Sequence, residues 1–210
     1  MDLDNEYSTK EIVILTEKKI ILIFGKRGSG KSYLANKQIE NELRLVVFDT
    51  MSEYENGIVF GTEDYEQCLE FWRKVYQGRF KIIYRPIKPK EEIEQIGELV
   101  YALGNCCFLI EEIDCYCSPY QISDNFAAII QRGRHKNIKL IGITQRPFGI
   151  HRLLTSQAKE IYIFNTNEPR DREYLRILLG QEIDSKLDAL KQYEYVHWQD
   201  GKEGLEIGKA

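Results

Sequence analysis

Long apolar runs are missing from this 210-residue sequence, and none approaches the roughly 18–20 residues needed to cross a bilayer. The N-terminus, MDLDNEYSTKE, is acidic and polar, so it reads as neither a signal peptide nor a transit peptide. Cysteine is scarce and odd in number. Cys68, Cys106, Cys107, Cys115 and Cys117 lack the spacing of a disulfide framework, which points to reduced thiols in a cytosolic setting. Cys115-Tyr116-Cys117 has no second Cys/His pair at zinc spacing, which argues against a zinc site. A basic excess is also missing: net charge is -4 and the pI about 5.6. No strongly basic nucleic-acid face is visible in bulk, so a nucleic-acid partner requires basic residues concentrated locally or multiplied around a pore. There are no repeats, no low-complexity segments and no linker-like stretch. We expect one domain over 1–210, with an N-terminal extension at 1–17 and a C-terminal hairpin or edge strand at 191–210.

What is present is enough for a core: 43% hydrophobic and 30% charged residues exclude disorder. Strand-like runs recur at 20–24, 44–48, 80–84, 106–110, 139–144 and 160–165. Most are continuously apolar, as in strands covered on both faces. Helical spacing lies between them, at 63–77 (Tyr65, Cys68, Leu69, Trp72, Val75, Tyr76) and at 91–103 (Ile93, Ile96, Val100, Leu103). Ser123 fits an N-cap for a helix through Gln131. This alternation implies an α/β fold with a mostly parallel central sheet. Asp200-Gly201, between the short strand-like pieces of 194–207, marks a hairpin.

GKRGSGKS, residues 25–32, has the P-loop form G-x-x-x-x-G-K-[ST]. It stands between an apolar strand and the helix-like YLANKQIENEL. Gly25, Gly28 and Gly30 permit the turns that aim backbone N–H groups at phosphate oxygens, and the helix starting near Lys31 adds its positive end. The whole loop, with Lys26, Arg27 and Ser29, is the expected nucleotide cradle. Lys31 is expected to reach the β- and γ-phosphates and Ser32 to ligate Mg²⁺. Lys26 and Arg27 have no more specific assignment.

The strand CCFLI runs into Glu111-Glu112, which puts two carboxylates at the C-terminal sheet edge beside the phosphates. With alternate faces, one can hold the hydrated metal and the other polarise a water. We assign Glu111 to the metal and Glu112 to the water, the two roles being interchangeable. A water-activating glutamate favours hydrolysis over transfer to a small acceptor, and no arginine-rich kinase lid is evident; 170–176 (RDREYLR) reads as a charged helix face. KLIGIT ends at Thr144-Gln145-Arg146-Pro147, where Gln145 can sense the γ-phosphate or orient the water. QRGRHKNIK, 131–139, concentrates Arg132, Arg134, His135, Lys136 and Lys139 in an acidic chain. It reads as an arginine finger for a neighbour's site or as a DNA-phosphate contact.

In order and spacing these motifs resemble the HerA–FtsK superfamily of P-loop ATPases, above all its small single-domain viral and mobile-element genome-packaging members. Asp49-Thr50-Met51-Ser52-Glu53-Tyr54 looks like the family's D-x-x-x-E-Y segment. Gly133-Arg134-His135 precedes the T-Q-R-P block as in the family. Leu154 to Lys159, IYIFN and Asn167…Asp171 resemble the segment that follows it. The resemblance spans about 18–180. It implies a RecA-like fold of the additional-strand, catalytic-glutamate type, and an Mg²⁺-dependent ATPase working as a ring, hexamer or pentamer. Such a ring translocates double-stranded DNA into a capsid, with a capsid or portal-vertex protein as further partner. The implied setting is the host cytoplasm or the virion, without membrane insertion. By position it gives Arg134 as the trans-acting finger, Arg132 as second choice, Gln145 as sensor, and Glu53 as an acid near the site. Glu111 stands where the family usually has Asp. The alternatives are an extrusion ATPase of the filamentous-phage assembly type, which usually carries a membrane span, and a small-molecule kinase.

Overall fold

The computed structural model describes residues 18–210; the expected extension at 1–17 lies outside them. In chain order the strands and helices are β1 (Ile20–Phe24), α1 (Lys31–Ile39), β2 (Arg44–Phe48), β3 (Ile58–Gly61), α2 (Tyr65–Val75), β4 (Phe80–Arg85), α3 (Pro89–Leu103) and β5 (Cys106–Ile110). The chain continues through β6 (Cys117–Ser118), β7 (Gln121–Ile122), α4 (Asp124–Arg132), β8 (Ile138–Thr144), α5 (Arg152–Gln157), β9 (Ala158–Phe164), α6 (Pro169–Leu179), α7 (Glu182–Ala189), β10 (Glu194–Gln199) and β11 (Glu206–Lys209). All six runs read as strands from their apolar character are strands, with ends shifted by at most two residues. Among the described residues, a nine-stranded sheet runs β11-β10-β9-β1-β8-β5-β2-β4-β3. From β9 to β3 every pairing is parallel, and β10–β11 adds an antiparallel hairpin beside β9. β6 and β7 form a separate small hairpin.

Every residue of β1, β2, β5 and β8 is buried, including Arg44 at the start of β2 and Lys139 in β8, as their mainly apolar runs require. Pleating sends alternate side chains to two cores. Ile20, Leu22 and Phe24 face one side, packed with Trp72, Ile96, Ile129, Leu154 and Leu175 from five helices. Ile21 and Ile23 face the other, covered by Leu34, Ala35 and Ile39 of α1. α1 ends at Ile39 rather than running through Leu43, and lysines of neighbouring strands satisfy carbonyls at its end. Lys139 Nζ donates to Gln38 O (3.2 Å) and Lys81 Nζ to Glu40 O (3.1 Å). Ser123 caps α4 as read: its Oγ accepts Phe126 N–H at 3.2 Å.

The sheet order decides where the chemistry sits. β8 lies between β1 and β5, so the P-loop strand and the acid-bearing strand are separated by one inserted strand. Because the three are parallel and in register (Phe24 beside Thr144, Ile110 beside Gly142), Gly25, Glu111 and Gln145 emerge on one sheet edge.

Candidate nucleotide-hydrolysis site

Gly25 leaves β1 at φ 148, and Gly28 and Gly30 follow at φ 73 and 106. Gly25 has a second constraint: a Cβ there would stand 2.6 Å from Phe164 Cβ. Gly25 N–H donates to Thr144 O (3.2 Å), which ties the loop to β8. Within the loop Ser29 N–H donates to Lys26 O at 3.3 Å. Lys31 folds back, its Nζ donating to the same carbonyl at 3.1 Å. Burial lowers the Lys31 pKa, while Glu111, Glu112 and Glu53 pull it the other way. The side chains of Lys26 and Arg27 are exposed, so the contribution of Lys26 here is its carbonyl. Ser29 Oγ is buried without a hydrogen-bond partner, as suits a loop built for a polyanion.

The alternate-face reading of the two acids needs correcting. β5 stops at Ile110, and Glu112 sits in the left-handed region at φ 50, ψ 47. It is therefore aimed by a strained turn rather than by strand pleating. There Gln145 Nε2 donates to Glu112 Oε1 at 2.7 Å. Glu111 is 3% exposed and accepts the Tyr54 phenol at 2.6 Å on Oε1. Burial pushes the Glu111 carboxyl up to about 7, with Glu53 and Glu112 adding to the shift; the Tyr54 hydrogen bond and Lys31 oppose it. The Tyr54 phenol is driven upward, first by burial and then by Glu111, so it remains a proton donor.

Tyr54 is the residue that sequence reasoning quoted without assigning. Asp49, 1% exposed, organises its loop. The Asp49 carboxylate accepts Glu53 N–H (3.0 Å) and Tyr54 N–H (3.4 Å) and pairs with Arg85 Nε (3.2 Å). Arg85 also donates to Tyr54 O at 2.8 Å. The D-x-x-x-E-Y segment is thus a clamp whose product is one phenol seated on Glu111. It also brings Glu53 to the cleft shared with Lys31, Ser32 and Gln145.

The T-Q-R-P block is braced in the same way. Thr144 Oγ1 donates to Asp114 Oδ1 (2.6 Å) and accepts Arg146 N–H (2.9 Å). Arg146 pairs with Asp171 at 3.2 Å and Glu168 at 3.6 Å, and Phe148 N–H donates to Asp171 Oδ1 at 3.1 Å. The Asn167…Asp171 stretch therefore holds the turn that presents Gln145.

Arg134 and Arg132 are not part of this assembly within one chain. Both precede β8, whereas the P-loop meets its far end, so the length of the strand, about 20 Å at 3.3 Å per residue, separates them. Arg134 lines a cleft with Lys18 and Lys159 at that opposite edge. Arg132 lies 5.5 Å over the Tyr101 ring.

Ser32 and Glu111 supply hard oxygen donors in one cleft. They fit Mg²⁺, which takes few protein ligands and completes its octahedron with phosphate oxygens and water. Among the described residues no cluster of three or more His, Cys, Asp or Glu side chains could hold a metal alone, and no helix is long and apolar enough to cross a membrane.

A phosphate loop on β1, paired acids after β5 and a glutamine at the tip of an inserted β8 give the chain the P-loop NTPase fold, with an additional strand between the loop strand and the acid strand. Comparison with known proteins narrows the neighbourhood. The chain is similar to the DNA packaging ATPase P9 of Enterobacteria phage PRD1, 23% identical over 199 residues, covering 88% of this chain and 84% of P9. Its fold matches the genome packaging NTPase B204 of Sulfolobus turreted icosahedral virus 2, solved with AMPPCP: TM-score 0.73, 22% identity, 91% of this chain and 97% of B204. The N-terminal domain of zonular occludens toxin from Neisseria meningitidis matches less well, at TM-score 0.54, 12% identity, 91% of this chain and 93% of that one. No protein-family model matches the chain. These similarities bear out the resemblance to small packaging ATPases drawn from the motifs.

Proposed function

We propose that this chain is an Mg²⁺-dependent ATPase that assembles head to tail into a ring and drives double-stranded DNA into a viral capsid. The observation that carries the reading is the Glu112–Gln145 contact beside Lys31, in a chain that aligns with a packaging ATPase along 88% of its length. Lys31 and the loop amides hold the β- and γ-phosphates. Glu112, fixed through Oε1 by Gln145, takes the proton from the attacking water. Ser32 and Glu111, the latter held by Tyr54, would hold Mg²⁺. When bound, the ion would supply neutralisation of phosphate charge.

The place of Arg134 supports the ring. Remote from its own P-loop, it serves catalysis only by reaching a neighbour's site, and a head-to-tail interface of that kind closes into a ring. A ring also multiplies a few basic side chains around the DNA, which reconciles the net charge of -4 with a polyanionic cargo. The test is phosphate release with and without duplex DNA. Wild type should release free phosphate faster with DNA, Lys31→Ala should abolish release, and Glu112→Gln should slow it by about 10²–10⁴-fold. A phosphorylated small molecule as product, or indifference to Lys31→Ala, overturns the reading.

A further inference from the structure

The two acids and Gln145 lie on one flank of the phosphate loop. Glu111 and Glu112 follow β5 and Gln145 follows β8, both on the same side of β1 in the sheet order. A nucleotide whose γ-phosphate faces these groups must run its nucleoside toward the other flank, over β9 and β10. Among the described residues, one exposed aromatic side chain stands there. Tyr193 immediately precedes β10, which pairs antiparallel with β9 so that Tyr195 lies opposite Phe164, and this register returns Tyr193 to the P-loop edge. Its ring lines the cleft with Gly28, Gly30 and Ser32 and is 48% exposed. Its Cδ1 lies 3.4 Å from where a Cβ on Gly30 would be.

The segment that carries Tyr193 is held in place. Its backbone takes the left-handed φ of 64, uncommon for an aromatic residue. Tyr193 O accepts Ala210 N–H (3.0 Å), Glu194 N–H donates to Lys191 O (3.1 Å), and Lys191 N–H donates to Glu194 Oε2 (2.8 Å). The other exposed aromatic at the cleft, Tyr33, is on the wrong flank. It also borders a groove with Leu45 of β2 and Lys81 of β4, and Lys37 Nζ sits 4.9 Å over its ring.

We propose that Tyr193 is the base platform of this site, its ring stacking on the nucleobase of the bound nucleotide. The inference rests on the reading of the cleft as a nucleoside-triphosphate site. Stacking on one aromatic face contributes affinity without strong choice among bases, since every base has a π-face. The test is calorimetric titration of the full chain with AMP-PNP and, separately, with inorganic tripolyphosphate, both with Mg²⁺. Wild type should bind AMP-PNP more tightly than tripolyphosphate. Tyr193→Ala should weaken AMP-PNP by about tenfold and leave tripolyphosphate unchanged, and Tyr193→Phe should bind both as wild type does. Unchanged AMP-PNP affinity in Tyr193→Ala overturns the proposal. So does an equal loss for both ligands, which would make Tyr193 a prop for Gly30, or a loss in Tyr193→Phe matching that in Tyr193→Ala. If wild type binds neither ligand, the nucleotide-site reading itself fails; if it binds tripolyphosphate as tightly as AMP-PNP, only the base platform does.

Discussion

Gln145 Nε2 lies 2.7 Å from Glu112 Oε1, joining the tip of the inserted strand to the second residue after the acid strand. The contact fixes a carboxylate whose backbone already departs from the strand, at φ 50. Glu112→Gln should lower kcat by about 10²–10⁴-fold, the usual worth of a general base. Nucleotide affinity should be kept, because the phosphates are held from the loop. Gln145→Ala should lower kcat less, with KM little changed. Steady-state kinetics alongside equilibrium binding of AMP-PNP checks both.

Tyr54→Phe removes a 2.6 Å hydrogen bond from a buried carboxylate and leaves the packing of the ring in place. The expected outcome is a higher Mg²⁺ concentration at half-maximal activity and a fold stability lowered by about 1–3 kcal/mol, the cost of leaving a buried polar group unpaired. Titration of activity with Mg²⁺ and urea denaturation measure the two effects separately.

Arg134→Ala should leave nucleotide binding intact and abolish hydrolysis in the assembled protein. Lys31→Ala should abolish both binding and hydrolysis. If the finger acts between subunits, mixing the two inactive variants restores measurable phosphate release, since some interfaces combine an intact P-loop with a neighbour's intact Arg134. No recovery on mixing, with assembly verified by mass, contradicts the trans arrangement.

Glu160 supplies a pH-dependent part of the stability. His197 Nε2 at 3.5 Å, then hydrogen bonds from Lys19 and Tyr162 at 2.6 Å each, hold its carboxyl well below the usual carboxylate range, against the opposing effect of burial. A depressed folded-state pKa stabilises above the unfolded value and is lost as pH falls through the folded one. Glu160→Gln should therefore destabilise at neutral pH, and its deficit should shrink as pH drops below about 4. Chemical denaturation at pH 7 and in that acid range reads the difference.

The glycines of the loop separate two kinds of constraint. Gly28 needs its positive φ but faces open space, whereas Gly25 also abuts Phe164 Cβ. Gly28→Ala should cost about 1–2 kcal/mol from backbone strain. Gly25→Ala should cost more and disturb β9 as well, which thermal melting of the two variants compares.

Much of this site was legible because its parts are local. The P-loop is eight consecutive residues, and β1, β2, β5 and β8 carry mainly apolar runs that read as doubly covered strands. The proximity of Glu112 to Gln145 followed from parallel order alone. The clamp around Asp49 was not legible, because Arg85 joins it from a strand 36 residues away and Tyr54 reaches 57 residues along the chain to Glu111. The turn at Glu112 was hidden too, since nothing in a glutamate announces a left-handed backbone. β3 and the β6–β7 hairpin were missed because four- and two-residue strands carry too little periodicity to separate from loops. Tyr193 reaches the cleft only through the β9–β10 register, which no local pattern encodes.

The most direct measurement is displacement of a third strand from a triplex-bearing duplex by the purified protein with Mg²⁺ and ATP. Movement along DNA strips the third strand, so ATP-dependent displacement that is absent with AMP-PNP, Glu112→Gln or Arg134→Ala is the expected result. A protein that hydrolyses ATP at the same rate with and without duplex DNA and never displaces the strand contradicts a DNA-translocating motor.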